Sequence, residues 1–178
     1  MIKALSIALA MLALCAPQQG EVELFEELRK LCGKSFAGVT DFTATADDPF
    51  RGARLVMSVD SCEENEIRIA FAVGEDRSRT WILTRHGDRL LFKHDHRKAD
   101  GTPDEITMYG GWAAGDGTST RVRFPADEQT AKLIPAAATN VWTLEVDPAT
   151  RRFVYFLERD GKPRYRAVFD LSKPIAKG

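Results

Sequence analysis

Leu90–Gly111 reads LLFKHDHRKADGTPDEITMYGG. Leu90, Phe92, His94 and His96 occupy alternate positions. A strand here turns all four to one face and Lys93 and Asp95 to the other. Ala99–Pro103 is turn material. Ile106 and Met108 alternate beyond it, so the stretch predicts a β-hairpin. Keeping the apolar face continuous sets Phe92 opposite Met108, His94 opposite Ile106 and His96 opposite Asp104. A slip of one residue brings Glu105, Thr107 and Tyr109 to the histidine face instead.

The preceding hairpin follows the same logic. A two-residue turn at His86-Gly87 sets Leu83 against Leu90, Trp81 against Phe92, Arg79 against His94 and Arg77 against His96. The three strands then share an apolar floor of Trp81, Leu83, Leu90, Phe92, Ile106 and Met108. Arg77, Arg79, His94, His96 and Asp104 gather at one end of it. Solvated charge is the default for such residues. The alternative is the anion-binding end of a pocket, with Arg77, Arg79, Trp81, Phe92, His94, His96, Asp104 and Met108 as ligand-binding residues. His94 and His96 supply two metal ligands, which do not make a site, and the arginines beside them disfavour a cation. No metal and no cofactor is expected.

The rest of the chain points to one domain. Its 178 residues suffice for a single core, and no repeat, low-complexity segment or linker interrupts them. Met1–Leu14 has Lys3 followed by an Ala/Leu/Ile run, and small residues come next. This is a secretory signal peptide spanning residues 1–20, with the domain over 21–178. Cys15 as a lipidation site is disfavoured by Leu14 before it. Without residues 1–20 the chain has 24 Lys plus Arg against 26 Asp plus Glu, so no nucleic-acid partner is indicated. No transmembrane segment is expected in the mature chain. Two cysteines remain, and an even count in an exported protein, periplasmic or secreted, predicts a Cys32–Cys62 disulfide.

Glu21–Leu31 has helical apolar spacing and Gly33 as its stop. Strands follow over Lys34–Ala44, where Gly38 suggests a bulge, then over Ala53–Val59 and Asn65–Val73. In the last of these Ile67, Ile69, Phe71 and Val73 alternate cleanly. Thr118–Phe124 and Val141–Val146 are further strands. Pro125–Ile134 between them is a short helix with acid at its start and Lys132 near its end. Arg151–Leu171 forms a hairpin whose inner face is Phe153, Tyr155, Leu157, Tyr165, Ala167 and Phe169. A three-residue loop, Arg159–Gly161, with a bulge sets Glu158 against Lys162 and Tyr155 against Tyr165, and puts Arg164 and Arg166 on the outer face.

The fold class is therefore mainly β: an antiparallel up-and-down β-barrel of about ten strands with a short N-terminal helix and one short late helix. A two-sheet β-sandwich is the alternative. The layout resembles the lipocalin-like (calycin) barrels, in which a short helix leads into a strand with a Gly-x-Trp motif. Leu28–Gly38, LRKLCGKSFAG, has the corresponding approach, with Phe36 in place of Trp and three residues past Gly33. DRSRTW, KHDHR and MYGG resemble stretches of uncharacterised bacterial secreted proteins. The resemblance implies a central cavity for small apolar or amphipathic molecules. The residues add a fatty-acid-like or other carboxylate ligand held by arginine. An enzyme using His94 or His96 with Asp104 as acid/base pair, and an envelope protein with a filled barrel, are the rival readings. No phosphate loop, nucleophile elbow or helical H-E-x-x-H is present.

Overall fold

A computed structural model describes residues 19–118 and 120–177. Nearly all of the leader expected over residues 1–20, Cys15 included, lies outside the described residues. Helix α1 (Gln19–Arg29) is followed by β1 (Ser35–Thr43), β2 (Leu55–Cys62), β3 (Glu66–Val73), β4 (Asp76–His86) and β5 (Arg89–His96). Next come β6 (Tyr109–Trp112), β7 (Arg121–Pro125), helix α2 (Glu128–Leu133) and a 3₁₀ turn (Pro135–Ala137). Strands β8 (Asn140–Asp147), β9 (Arg152–Arg159) and β10 (Lys162–Ile175) complete the chain.

The strands form one antiparallel sheet in the order β6-β5-β4-β3-β2-β1-β10-β9-β8-β7. Each strand pairs with its sequence neighbour except that β6 and β7 form no ladder, and β10 returns to pair with β1. The sheet curls into a nearly closed barrel, with the seam between β6 and β7. Alternation explains the inside. Ile67, Ile69 and Phe71 of β3 are buried, as are Trp81 and Leu83 of β4 and Phe153 and Tyr155 of β9. Gly38 marks a register shift in the β1–β10 ladder, where a side chain would run into the Phe169 ring.

Helix α1 plugs one end. Leu24, Phe25 and Leu28 are 0% exposed, and burial of that kind contributes roughly 2 kcal/mol per side chain. The helix thus docks by its apolar face rather than by local propensity. The Cys32–Cys62 disulfide ties the end of this segment to the end of β2, with Cα atoms 6.1 Å apart.

The seam is closed by backbone contacts rather than by a ladder. The Ala114 amide donates to the Arg123 carbonyl and the Asp127 amide to the Gly110 carbonyl, both at 2.9 Å. α2 latches it: the buried Thr130 hydroxyl donates to the Gly110 carbonyl at 2.8 Å and accepts from the Gly110 amide at 2.7 Å. Gly111 packs so closely that a Cβ would overlap the Pro125 carbonyl oxygen. Gly111→Ala should therefore cost about 2 kcal/mol, in the range of overpacking in a filled core, measured by urea denaturation. An unchanged midpoint would show that the seam is loose.

Three registers differ from the sequence expectation. Gly87-Asp88, not His86-Gly87, forms the β4–β5 turn, since His86 pairs with Arg89. The ladder moves by two residues and keeps its faces, so Trp81 meets His94 and Arg79 meets His96. In β5–β6 the shift is odd: His94 pairs with Tyr109 and Phe92 with Gly111. Tyr109 takes the inner place, while Ile106 and Met108 are 49% and 38% exposed. Met108 adopts φ 56°, which ends the extended run before β6. Thr107 meanwhile donates to buried Asp95 and accepts from the His96 amide. At β9–β10, Asp160-Gly161 is a two-residue turn with both φ positive, at 53° and 67°. A bulge between Pro163 and Tyr165 then restores the expected inner face.

Candidate functional site

A cavity of ≈ 350 Å³ opens at the barrel end opposite α1. Its floor comes from strands facing each other across the barrel. Trp81 of β4 stacks on Phe71 of β3 at 4.5 Å and on Tyr155 of β9 at 4.8 Å, the latter pair 6° from parallel. Tyr109, Trp142 and Tyr165 add aromatic walls, and Phe50, Ile134 and Leu157 stand nearer the mouth.

His94 sits at the hub and is 3% exposed. Its Nδ1 lies 3.2 Å from the Tyr109 carbonyl oxygen and its Nε2 3.0 Å from the Tyr155 hydroxyl. A carbonyl only accepts, so Nδ1 carries the proton and Nε2 accepts from Tyr155. Burial pushes the His94 pKa down to about 3, the Tyr109 carbonyl offsetting this only in part. The ring is neutral at pH 7. His96 is also lowered, by burial first and then by the Arg79 charge, and its Nε2 lies 3.0 Å from the Tyr109 hydroxyl. Burial lifts Tyr109 and Tyr165 to about 12 and Tyr155 well above its ordinary value. The inner cavity is thus polar but uncharged.

Charge enters at the rim. Arg79, Arg159 and Arg164 line the cavity with one carboxylate, Asp48. Arg79 donates to Asp76 at 2.5 Å and lies over the Phe50 ring at 5.1 Å. Burial of Asp76 would raise its pKa, but the hydrogen bonds from Ser78 and Arg79 outweigh it and hold it at about 2. Arg159 donates through Nε to the Oδ1 of buried Asn140 at 2.8 Å, which fixes the plane of its fork. Arg164 has no ion pair among the described residues. The bulge at Pro163–Tyr165 is what turns this residue, expected on the outer face, toward the mouth.

Of the residues singled out in the sequence, Arg79, Trp81, His94 and His96 line the cavity. Four do not. Arg77 is exposed and donates to the Gly74 carbonyl. Phe92 is fully buried below the cavity, and Met108 stands on the outer surface. The Asp104 carboxylate accepts from the Ile106 amide and bonds to neither imidazole, although the Asp104 amide donates to the His96 carbonyl at 2.9 Å. Sequence reasoning missed Tyr109, Trp142, Arg159 and Arg164. Trp142 and Tyr155 carried the right signal, an inner-face position, but nothing local marked which end of the barrel they occupy. Lys93, on the outer face, is buried against Asp127 at 2.6 Å. Burial raises the Asp127 pKa, but the bonds from Lys93 and Thr130 lower it further, and the net shift is downward. Among the described residues no group of three or more His, Cys, Asp or Glu is placed to hold a metal ion.

No family model, curated protein or solved structure matches this chain.

Proposed function

We propose that this protein is an exported, lipocalin-like binding barrel for a small amphipathic anion. One observation carries the reading: an aromatic cup whose histidines are neutral, under a rim of three arginines and one carboxylate. Apolar walls supply most of the affinity in such a site, and a few placed polar groups set orientation. Arginine suits a carboxylate because its fork matches two oxygens. The disulfide fits an oxidising compartment. No helix among the described residues is long and apolar enough to cross a membrane. The acid/base alternative has less support, because neither imidazole has a carboxylate on its ring nitrogens.

Trp81 and Trp142 both line the cavity, so a bound carboxylate should change the intrinsic fluorescence. Affinity should fall roughly tenfold on Arg159→Ala and again on Arg164→Ala, the scale of a lost charged hydrogen bond. It should also weaken with added salt. Equal binding of a carboxylate and its uncharged amide would end the anion reading.

A further inference from the structure

We infer that the ligand is a compact aromatic carboxylate, one ring wide, and that long alkyl chains are excluded; this rests on the binding reading above. The floor sets the depth. Trp81 and Tyr155 reach from opposite walls and stack at 4.8 Å, and the Tyr155 hydroxyl continues the bridge to His94 on β5 at 3.0 Å. Beneath this bridge Phe92, Phe153 and Phe169 are fully buried, with Phe153 at 6.0 Å and Phe169 at 6.2 Å from the Trp81 ring. Helix α1 fills the far end. The barrel is therefore a cup rather than a bore, and a long chain has no channel to enter. Its ≈ 350 Å³ lies near the lower end of the roughly 300–1,000 Å³ that small-ligand clefts span.

The walls select shape. Tyr109 and Trp142 stand 5.9 Å apart, and Phe50 and Tyr165 meet at 5.3 Å near the mouth. Aromatic faces and edges prefer another ring in offset or edge-on contact to a flexible chain. A flat ring also loses less rotamer freedom on binding than an alkyl tail. Arg159 and Arg164 line the same cavity as this floor, so guanidinium groups stand in its walls to receive the carboxylate.

The test is calorimetric titration of the oxidised protein with phenylacetate, phenylacetamide, hexanoate and palmitate. Phenylacetate should bind roughly tenfold tighter than hexanoate, which has a similar reach and no ring. Palmitate should give no one-to-one binding. Hexanoate matching phenylacetate, or palmitate binding as tightly, overturns the ring-and-depth assignment while leaving the anion reading standing. Absence of binding by all three carboxylates overturns both. Trp81→Leu opens the floor and should raise hexanoate affinity relative to phenylacetate, with folding checked by circular dichroism. An unchanged ratio in the folded variant removes the floor as the selecting element. The unmodified protein decides the ligand class whether or not that variant folds.

Discussion

Between pH 6.5 and pH 4 the folded state should lose about 3 kcal/mol through His94 alone, at about 1.4 kcal/mol per pH unit of unmatched protonation. The unfolded chain protonates this imidazole near 6.5, whereas in the fold burial holds it at about 3. Below pH 6.5 the unfolded state therefore takes up a proton that the folded state refuses. The penalty is absent above 6.5 and grows as pH falls toward 3. His96, lowered as well, acts in the same direction. The surroundings offer little relief: the Tyr109 carbonyl offsets burial only in part, Tyr109 and Tyr155 stay neutral, and Lys93 and His96 add positive charge. Carboxyl groups contribute as well, Asp127 among those held below their ordinary value. Buried Glu21, raised above 4.5 by burial, works the opposite way, and Asp76, held at about 2, loses its contribution below its ordinary 3.8. A paired variant separates these. His94→Gln keeps an amide to donate to the Tyr109 carbonyl and accept from Tyr155, but it cannot titrate. It should be less stable than the parent at pH 7 and lose less on acidification. Urea denaturation of both proteins at pH 7, 6, 5 and 4 provides the comparison. Parallel curves would show that His94 is protonated as readily inside the fold as outside it.

The sequence showed faces better than registers, for a physical reason. A period of two survives any even shift, so moving the β4–β5 turn from His86-Gly87 to Gly87-Asp88 left Trp81, Leu83, Phe92 and His94 pointing inward. The Asp160-Gly161 turn would have swapped faces, but the bulge after Pro163 added the missing residue. The one odd shift, in β5–β6, exchanged Met108 for Tyr109. Hydrophobic continuity favoured Met108 there. The fold instead favours a tyrosine ring stacked 4.6 Å from His94, with its hydroxyl on His96. Thr107, drawn to buried Asp95, sets the path of the intervening segment. Such gains depend on partners that only the closed barrel brings together. The rim was less legible still. Arg159 and Arg164 read as turn and outer-face charges, and a bulge and a buried asparagine redirect them.

Removing the disulfide should have the other large effect. Cys32 and Cys62 are separated by 30 positions, and closing a loop of that length constrains the unfolded chain by about 3–4 kcal/mol. Cys32→Ser and Cys62→Ser should each lose that amount, which lowers the melting temperature by about 10 °C for a chain of this size. The double variant should lose little more than either single one, because the two sulfurs make a single interaction. Helix α1 should nonetheless stay docked. Leu24, Phe25 and Leu28 remain buried, the Gly33 amide still donates to the Val59 carbonyl at 2.8 Å, and Val59 returns the bond to Lys34 at 3.0 Å. The cavity lies at the other end of the barrel, so a ligand's affinity should not change in the variants at a temperature where they are folded. Reductant should lower the melting temperature of the parent and leave the double variant where it is. Equal melting of parent and double variant under oxidising conditions would mean that the bond contributes nothing. A loss of binding together with stability would mean that α1 supports the cup as well as closing the far end.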